Sequence, residues 1–127
     1  MIENVVNYSK IVKLFEERKK KREKERERIL KKIKSKKGYR ILHNYPEIRR
    51  VYLLGSILRE GLFSSLSDID IAVEGIDSKN FLALFGDLEK LTGRPLDIIT
   101  LEKTKGSLRK FILEKGVLIY ERRATRT

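Results

Sequence analysis

The stretch that most limits the fold is residues 51–74, where two apolar runs flank a loop and the second run holds Asp68 and Asp70. The first run, Val51–Leu54, stops at Gly55-Ser56, and a loop rich in glycine and serine follows. Ile69, Ile71 and Val73 alternate with the acids, which is the period of a strand with one packed face. Asp68 and Asp70 then share the other face, about 7 Å apart along the strand. Two carboxylates in a run that otherwise reads as buried carry a large desolvation penalty unless something neutralises them. Side by side they also repel, which favours a cation between them.

The rest of the chain supplies a scaffold for that stretch. At 127 residues it has the length of one domain, with room for an appendage. Downstream of residue 51 the pattern reads β, turn-helix, β, α, β, α, β. Phe81, Leu82, Leu84, Phe85, Leu88 and Leu91 mark an amphipathic helix, with Asp77 or Ser78 as its N-cap and Thr92-Gly93-Arg94-Pro95 as its stop. Leu96–Thr100 is a third strand, again with a carboxylate inside it, Asp97. Residues 105–115 form a last helix and Val117–Tyr120 a last strand. The expected fold class is α/β, a small mixed sheet of about four strands with helices packed on it. Two segments are expected, a charged helix over 1–40 and the α/β domain over 41–127.

The N-terminal segment differs in kind. Residues 1–50 hold 18 Lys and Arg against 7 Asp and Glu, whereas residues 51–127 hold 12 against 11. The periodicity predicts one long helix over residues 3–37, closed by Lys36-Lys37-Gly38 with the glycine as C-cap. Val5, Val6, Tyr8, Ile11, Val12, Leu14 and Phe15 give its first part an apolar face, and Ile29, Leu30 and Ile33 a second one. Between them every residue from Glu16 to Arg28 is charged, so this tract is expected to be a solvated surface. An apolar face beyond a charged tract points to contact with a second chain, either a partner or another copy. Nucleic-acid binding is the weaker reading, because no aromatic residue interrupts the tract and its acids dilute the field. Residues 39–50 read as a short helix interrupted at Pro46.

Several chemistries are excluded. The chain has no cysteine, which removes disulfides and thiol catalysis and fits a reducing, cytoplasmic setting. His43 is the single histidine, so no histidine metal cluster can form, and a structural or surface role is expected for it. No apolar run is long enough for a membrane span, and no signal peptide is visible. What remains is oxygen chemistry. Asp68, Asp70 and Asp97 without histidine or cysteine favour Mg²⁺, or Mn²⁺, over zinc. Mg²⁺ is commonly held by one or two carboxylates together with substrate phosphates. Gly55 permits close backbone approach, and Ser56 is placed to cap a helix beginning at Ile57 whose amides would bind phosphate.

Gly55-Ser56, eleven residues, Asp68-Ile69-Asp70 and then Asp97 resemble the minimal nucleotidyltransferase (MNT) family of the polymerase-β-like superfamily. The resemblance spans about residues 50–121. It implies that Asp68 and Asp70 hold catalytic Mg²⁺, and that Asp97 completes the metal site and helps activate the attacking hydroxyl. It places Gly55 and Ser56 on the β- and γ-phosphates of ATP, with Arg59 and Ser67 in the nucleotide-binding set. The family usually has glycine directly after that arginine, whereas here Arg59-Glu60-Gly61 makes the loop one residue longer. The family often pairs with a helical HEPN protein, with the transferase as antitoxin moving AMP onto a toxin tyrosine. The implied function is therefore AMP transfer from ATP to a hydroxyl of a partner protein. The alternatives are a non-catalytic antitoxin module, or transfer to RNA or a small molecule.

Overall fold

A computed structural model describes residues 7–123. Its elements follow the order α1 (Tyr8–Ile33), α2 (Lys36–His43), β1 (Arg50–Leu54), β2 (Ile69–Glu74), α3 (Phe81–Thr92), β3 (Leu96–Thr100), α4 (Gly106–Lys115) and β4 (Val117–Glu121). The strands form one mixed sheet in the order β3-β2-β1-β4. β1 is antiparallel to both β2 and β4, and β2 is parallel to β3. The expected α/β architecture is therefore the observed one.

The alternation in β2 sorts the two faces of the sheet. Ile69, Ile71 and Val73 point into the main core with Val51, Leu53 and Ile98. Helix α3 covers this face with Leu84, Leu88 and Leu91, joined by Ile29 and Ile33 of α1 and Leu42 of α2. On the opposite face Tyr52, Leu54 and Ala72 pack under Ile112 of α4 and Leu101, which follows β3. Only Ile112 of α4 is buried, and Leu108 and Phe111 are half exposed. Helix α3 ends as its sequence suggests, on Gly93 in the left-handed region at φ 68°. Its start differs. Asp77 precedes a short 3-10 turn over Ser78–Asn80, and the side chain of neither Asp77 nor Asn80 accepts a capping hydrogen bond from a backbone amide.

The N-terminal segment departs furthest from the reading of its sequence. One helix does not run to Lys37. α1 ends at Ile33, the backbone turns through Lys34, and Ser35 starts α2, its hydroxyl accepting from the Gly38 amide at 3.1 Å. Gly38 is consequently not a C-cap. It lies where α2 crosses the end of α1, and a Cβ there would sit 2.2 Å from the Ile33 carbonyl oxygen. Ser35 caps the new helix, its hydroxyl satisfying one of the first amides of α2, which have no partner within that helix. Val5 and Val6 lie outside the described residues. Tyr8, Val12 and Phe15 are exposed and, at positions i, i+4 and i+7, line one stripe of α1.

The charged tract is also more enclosed than its composition implies. Arg22, Glu23, Glu25, Arg26 and Arg28 are half-buried against the domain. Arg28 donates to the Thr92 carbonyl at 3.0 Å, placing a cation at the C-terminal end of α3, where the helix dipole favours it. Its hydrogen bond with Glu25 holds that carboxyl below the usual carboxylate range. Charge run and burial are compatible here because the partners are backbone groups and opposite charges rather than apolar side chains. Elsewhere, His43 stacks on Tyr39, and its Nδ1 lies 3.1 Å from the Tyr120 hydroxyl, which is a structural placement. No helix among the described residues is long and apolar enough to cross a membrane.

Candidate active site

The site lies where β1 ends and β2 begins. Antiparallel pairing sets Asp70 opposite Leu54, and parallel pairing sets it beside Asp97. The three positions Leu54, Asp70 and Asp97 thus share one face of three neighbouring strands. Asp68 stands just before β2, exposed, on the same side by alternation. The parallel register is what unites the two acids, which are distant in the chain.

The electrostatics match this geometry. Burial pushes the Asp70 carboxyl up from its ordinary value of 3.8, and the nearby charges of Asp97 and Asp68 push the same way. Among the described residues no lysine or arginine forms an ion pair with any of the three. Nor do three acidic or imidazole side chains converge tightly enough there to make a ready-formed metal cage. The site is a pair of carboxylates adjacent across two strands, Asp70 and Asp97, with Asp68 two residues from Asp70 and no described cation paired with them. That donor set fits a hard divalent cation that draws its remaining ligands from a phosphate.

Gly55 forms the other wall. It adopts φ +76°, and a Cβ there would stand 2.6 Å from Asp70 Oδ2. Glycine is required on both counts, conformation and space. Ser56 does not cap an α-helix as its sequence suggests. Gly55–Leu58 is a single 3-10 turn without a side-chain cap, so the Ser56 hydroxyl is left half-exposed. Arg59 closes that turn, its amide donating to the Ser56 carbonyl at 3.0 Å while its side chain is exposed. A cleft of about 430 Å³ opens here, lined by Leu54, Ser56, Arg59, Leu62, Phe111 and Lys115 among others. Ser67 lies in the same loop. Its hydroxyl accepts from the Ser64 amide at 3.0 Å and so braces the loop from within.

Residues that composition alone did not single out hold this loop in place. Arg94 donates to the carbonyls of Ser64 and Ser67 at 2.8 and 2.5 Å, and its guanidinium lies 4.7 Å from the centre of the Phe63 ring. Phe63 is fully buried, which anchors the middle of the loop to the core. From the other side, Arg26 donates to the carbonyls of Ile57 and Leu58.

The sequence profile of the family described as "Polymerase beta, Nucleotidyltransferase" matches residues 31–125. It begins in the last turn of α1, earlier than residue 50, where the motifs begin. No curated protein matches the sequence significantly. Solved structures that share the fold include three toxin–antitoxin complexes. One, a toxin–antitoxin with AMP-PNP, is 23% identical with a TM-score of 0.57, over 68% of this chain and 72% of that one. A second, a mutant MntA–HpeT toxin–antitoxin, is 21% identical with a TM-score of 0.56, over 65% and 69%. A third, tri-AMPylated Shewanella oneidensis HEPN toxin in complex with MNT antitoxin, is 22% identical with a TM-score of 0.53, over 71% of each chain.

Proposed function

The chain belongs to the polymerase-β nucleotidyltransferase family, and from that premise we propose that it transfers AMP from ATP to a tyrosine hydroxyl of a HEPN-type partner, as the antitoxin of a toxin–antitoxin pair. The observation that carries this reading is the register that sets Asp70 beside Asp97, with the Gly55 backbone pressed against the Asp70 carboxylate. The likeness to toxin–antitoxin structures, one with AMP-PNP and one with an AMPylated HEPN toxin, supports the choice of nucleotide and partner.

Asp68, Asp70 and Asp97 would hold Mg²⁺, or Mn²⁺, which when bound neutralises phosphate charge and stabilises the attacking and leaving oxygens. The chain's own residues do the rest. Gly55 lets the backbone approach the triphosphate, and Ser56 and Arg59 donate to its β- and γ-phosphates. Asp97 takes the proton of the acceptor hydroxyl, whose oxygen bonds to the α-phosphorus. The bond from that phosphorus to the bridging oxygen breaks, and pyrophosphate leaves. The cleft beside Ser56 and Arg59, which none of the three acids lines, has a volume that suits a nucleoside. The exposed stripe Tyr8, Val12 and Phe15 is the surface assigned to the protein partner.

The test is labelling of a HEPN partner, co-purified from the host, with ATP radioactive at the α-phosphate. Mass analysis should find AMP on a tyrosine. Asp70→Asn and Asp97→Asn should each lower the rate about a hundredfold or more, since metal-assisted charge stabilisation amounts to several kcal/mol. Equal labelling by both variants would sink the mechanism. Neutralisation of the partner without any labelling would leave a docking antitoxin in its place.

A further inference from the structure

The loop between β1 and β2 carries Gly55, Ser56 and Arg59, and its own backbone bonds do not account for its shape. Arg59 donates to Ser56, Leu62 to Arg59 and Ser67 to Ser64. Among the described residues, the carbonyls of Ile57 and Leu58 receive no backbone donor outside the turn. They receive Arg26 instead, with Nε on Ile57 at 2.9 Å and Nη2 on Leu58 at 3.3 Å. A planar guanidinium presents donors in a rigid fork, so two successive carbonyls are held at a set angle. Glu23 completes the grip, one carboxylate oxygen on Arg26 Nη1 at 3.3 Å and the other accepting from the Gly61 amide. Both side chains are only 16% exposed. Pairing at that depth places strong bonds on a stretch of five residues, 57–61.

We propose that Arg26, supported by Glu23, is a positioning residue for nucleotide binding, setting the orientation of the Gly55–Arg59 turn from the part of α1 that lies before the family match at residue 31. The inference rests on the reading of this turn as the phosphate-holding element. The turn has little tolerance for displacement at its start, because Gly55 is packed directly against Asp70 Oδ2. Movement at Ile57 or Leu58 is therefore transmitted to Ser56 and Arg59 rather than absorbed at Gly55. Small misplacements of groups that position substrate are enough to lower rates by orders of magnitude. The charged tract thus has a role within its own chain, distinct from solubility or partner docking.

Arg26→Met keeps the packing stem and removes the donors, and Arg26→Lys keeps the charge without the fork. In the full-length protein, hydrogen exchange at the amides of Arg59, Gly61 and Leu62 should quicken about tenfold in Arg26→Met, as expected for losing charge-assisted bonds. The amides of β1 and β2 should stay as they are. The KM for ATP should rise about tenfold, with kcat changed far less, and Arg26→Lys should fall between the two. A purely structural role would lower kcat with the folded fraction and leave KM alone. Loop exchange within about twofold of the parent, or an unchanged KM, overturns the proposal. Should Arg26→Met fail to fold, Glu23→Gln carries the same comparison through the Gly61 amide. If the parent protein binds no ATP, the transferase reading falls, and the exchange rates alone still decide whether Arg26 orients the turn.

Discussion

Replacing Asp70 by asparagine should make the empty protein more stable while making it inactive. Asp70 is half-buried and sits beside Asp97 on the neighbouring strand, with Asp68 two residues before it. Neighbouring strands are about 4.8 Å apart. Two unit charges near 5 Å interact by about 0.8 kcal/mol at the dielectric of water and about 3 kcal/mol at an effective value of 20. Asp97 and Asp68 are exposed, so screening pulls the figure to the low end, and about 1 kcal/mol of repulsion is the working value. Asparagine has nearly the same shape and removes that term. For a chain of this length, about 1 kcal/mol corresponds to a melting shift of about 3–5 °C.

The sign can be checked against pH. Burial, then Asp97 and Asp68, raise the Asp70 carboxyl in the folded state above its ordinary 3.8. Folding therefore disfavours its charged form, and the penalty is complete above the folded value. It fades as pH falls through that value and is gone below the unfolded one. The melting advantage of Asp70→Asn should be largest near pH 7.5 and should close as pH falls toward 4. Calorimetry of both proteins without nucleotide or metal, over that range, reads the effect. Adding Mg²⁺ and ATP should reverse the order, because only the parent gains from binding. A variant less stable than the parent at neutral pH, or an advantage indifferent to pH, would refute the electrostatic account of the site.

In the metal-free protein Asp70 is held above its ordinary value, so proton and cation compete for the same carboxylate, and Mg²⁺ affinity should weaken as pH falls, which Mg²⁺ titrations at several pH values would measure. Gly55→Ala should destabilise by about 1–3 kcal/mol, from its positive φ and the 2.6 Å approach to Asp70 Oδ2, and should abolish ATP binding. Urea denaturation and titration calorimetry would measure the two. Ile29→Ala should cost about 2–4 kcal/mol in urea denaturation, because that side chain is fully buried with the α3 leucines. A loss under about 0.5 kcal/mol, typical of surface positions, would mean that α1 folds apart from the sheet.

Local pattern alone determined much of this protein. The period-two run at Ile69, Ile71 and Val73 identified β2 and placed Asp68 and Asp70 on its free face. The helical spacing of Leu84, Leu88 and Leu91 identified the face of α3 that covers the sheet. Gly55-Ser56 marked the end of β1, and Gly93 the end of α3. These signals are local because strand and helix periods place neighbouring residues on faces without reference to the rest of the chain.

Tertiary structure decided the remainder. That Asp97 stands beside Asp70 depends on a parallel register, which forms through a crossover connection and leaves no mark in either strand's own sequence. Thirteen successive charged residues gave no hint that Arg26 and Glu23 turn inward, because their partners are backbone groups more than 30 positions away. Ser67 was expected in the nucleotide-binding set, and nothing in its own sequence announced that its hydroxyl would also accept from the Ser64 amide. A polar side chain declares in sequence only that it needs a partner, and which partner it finds is settled when the fold brings distant backbone within hydrogen-bonding reach.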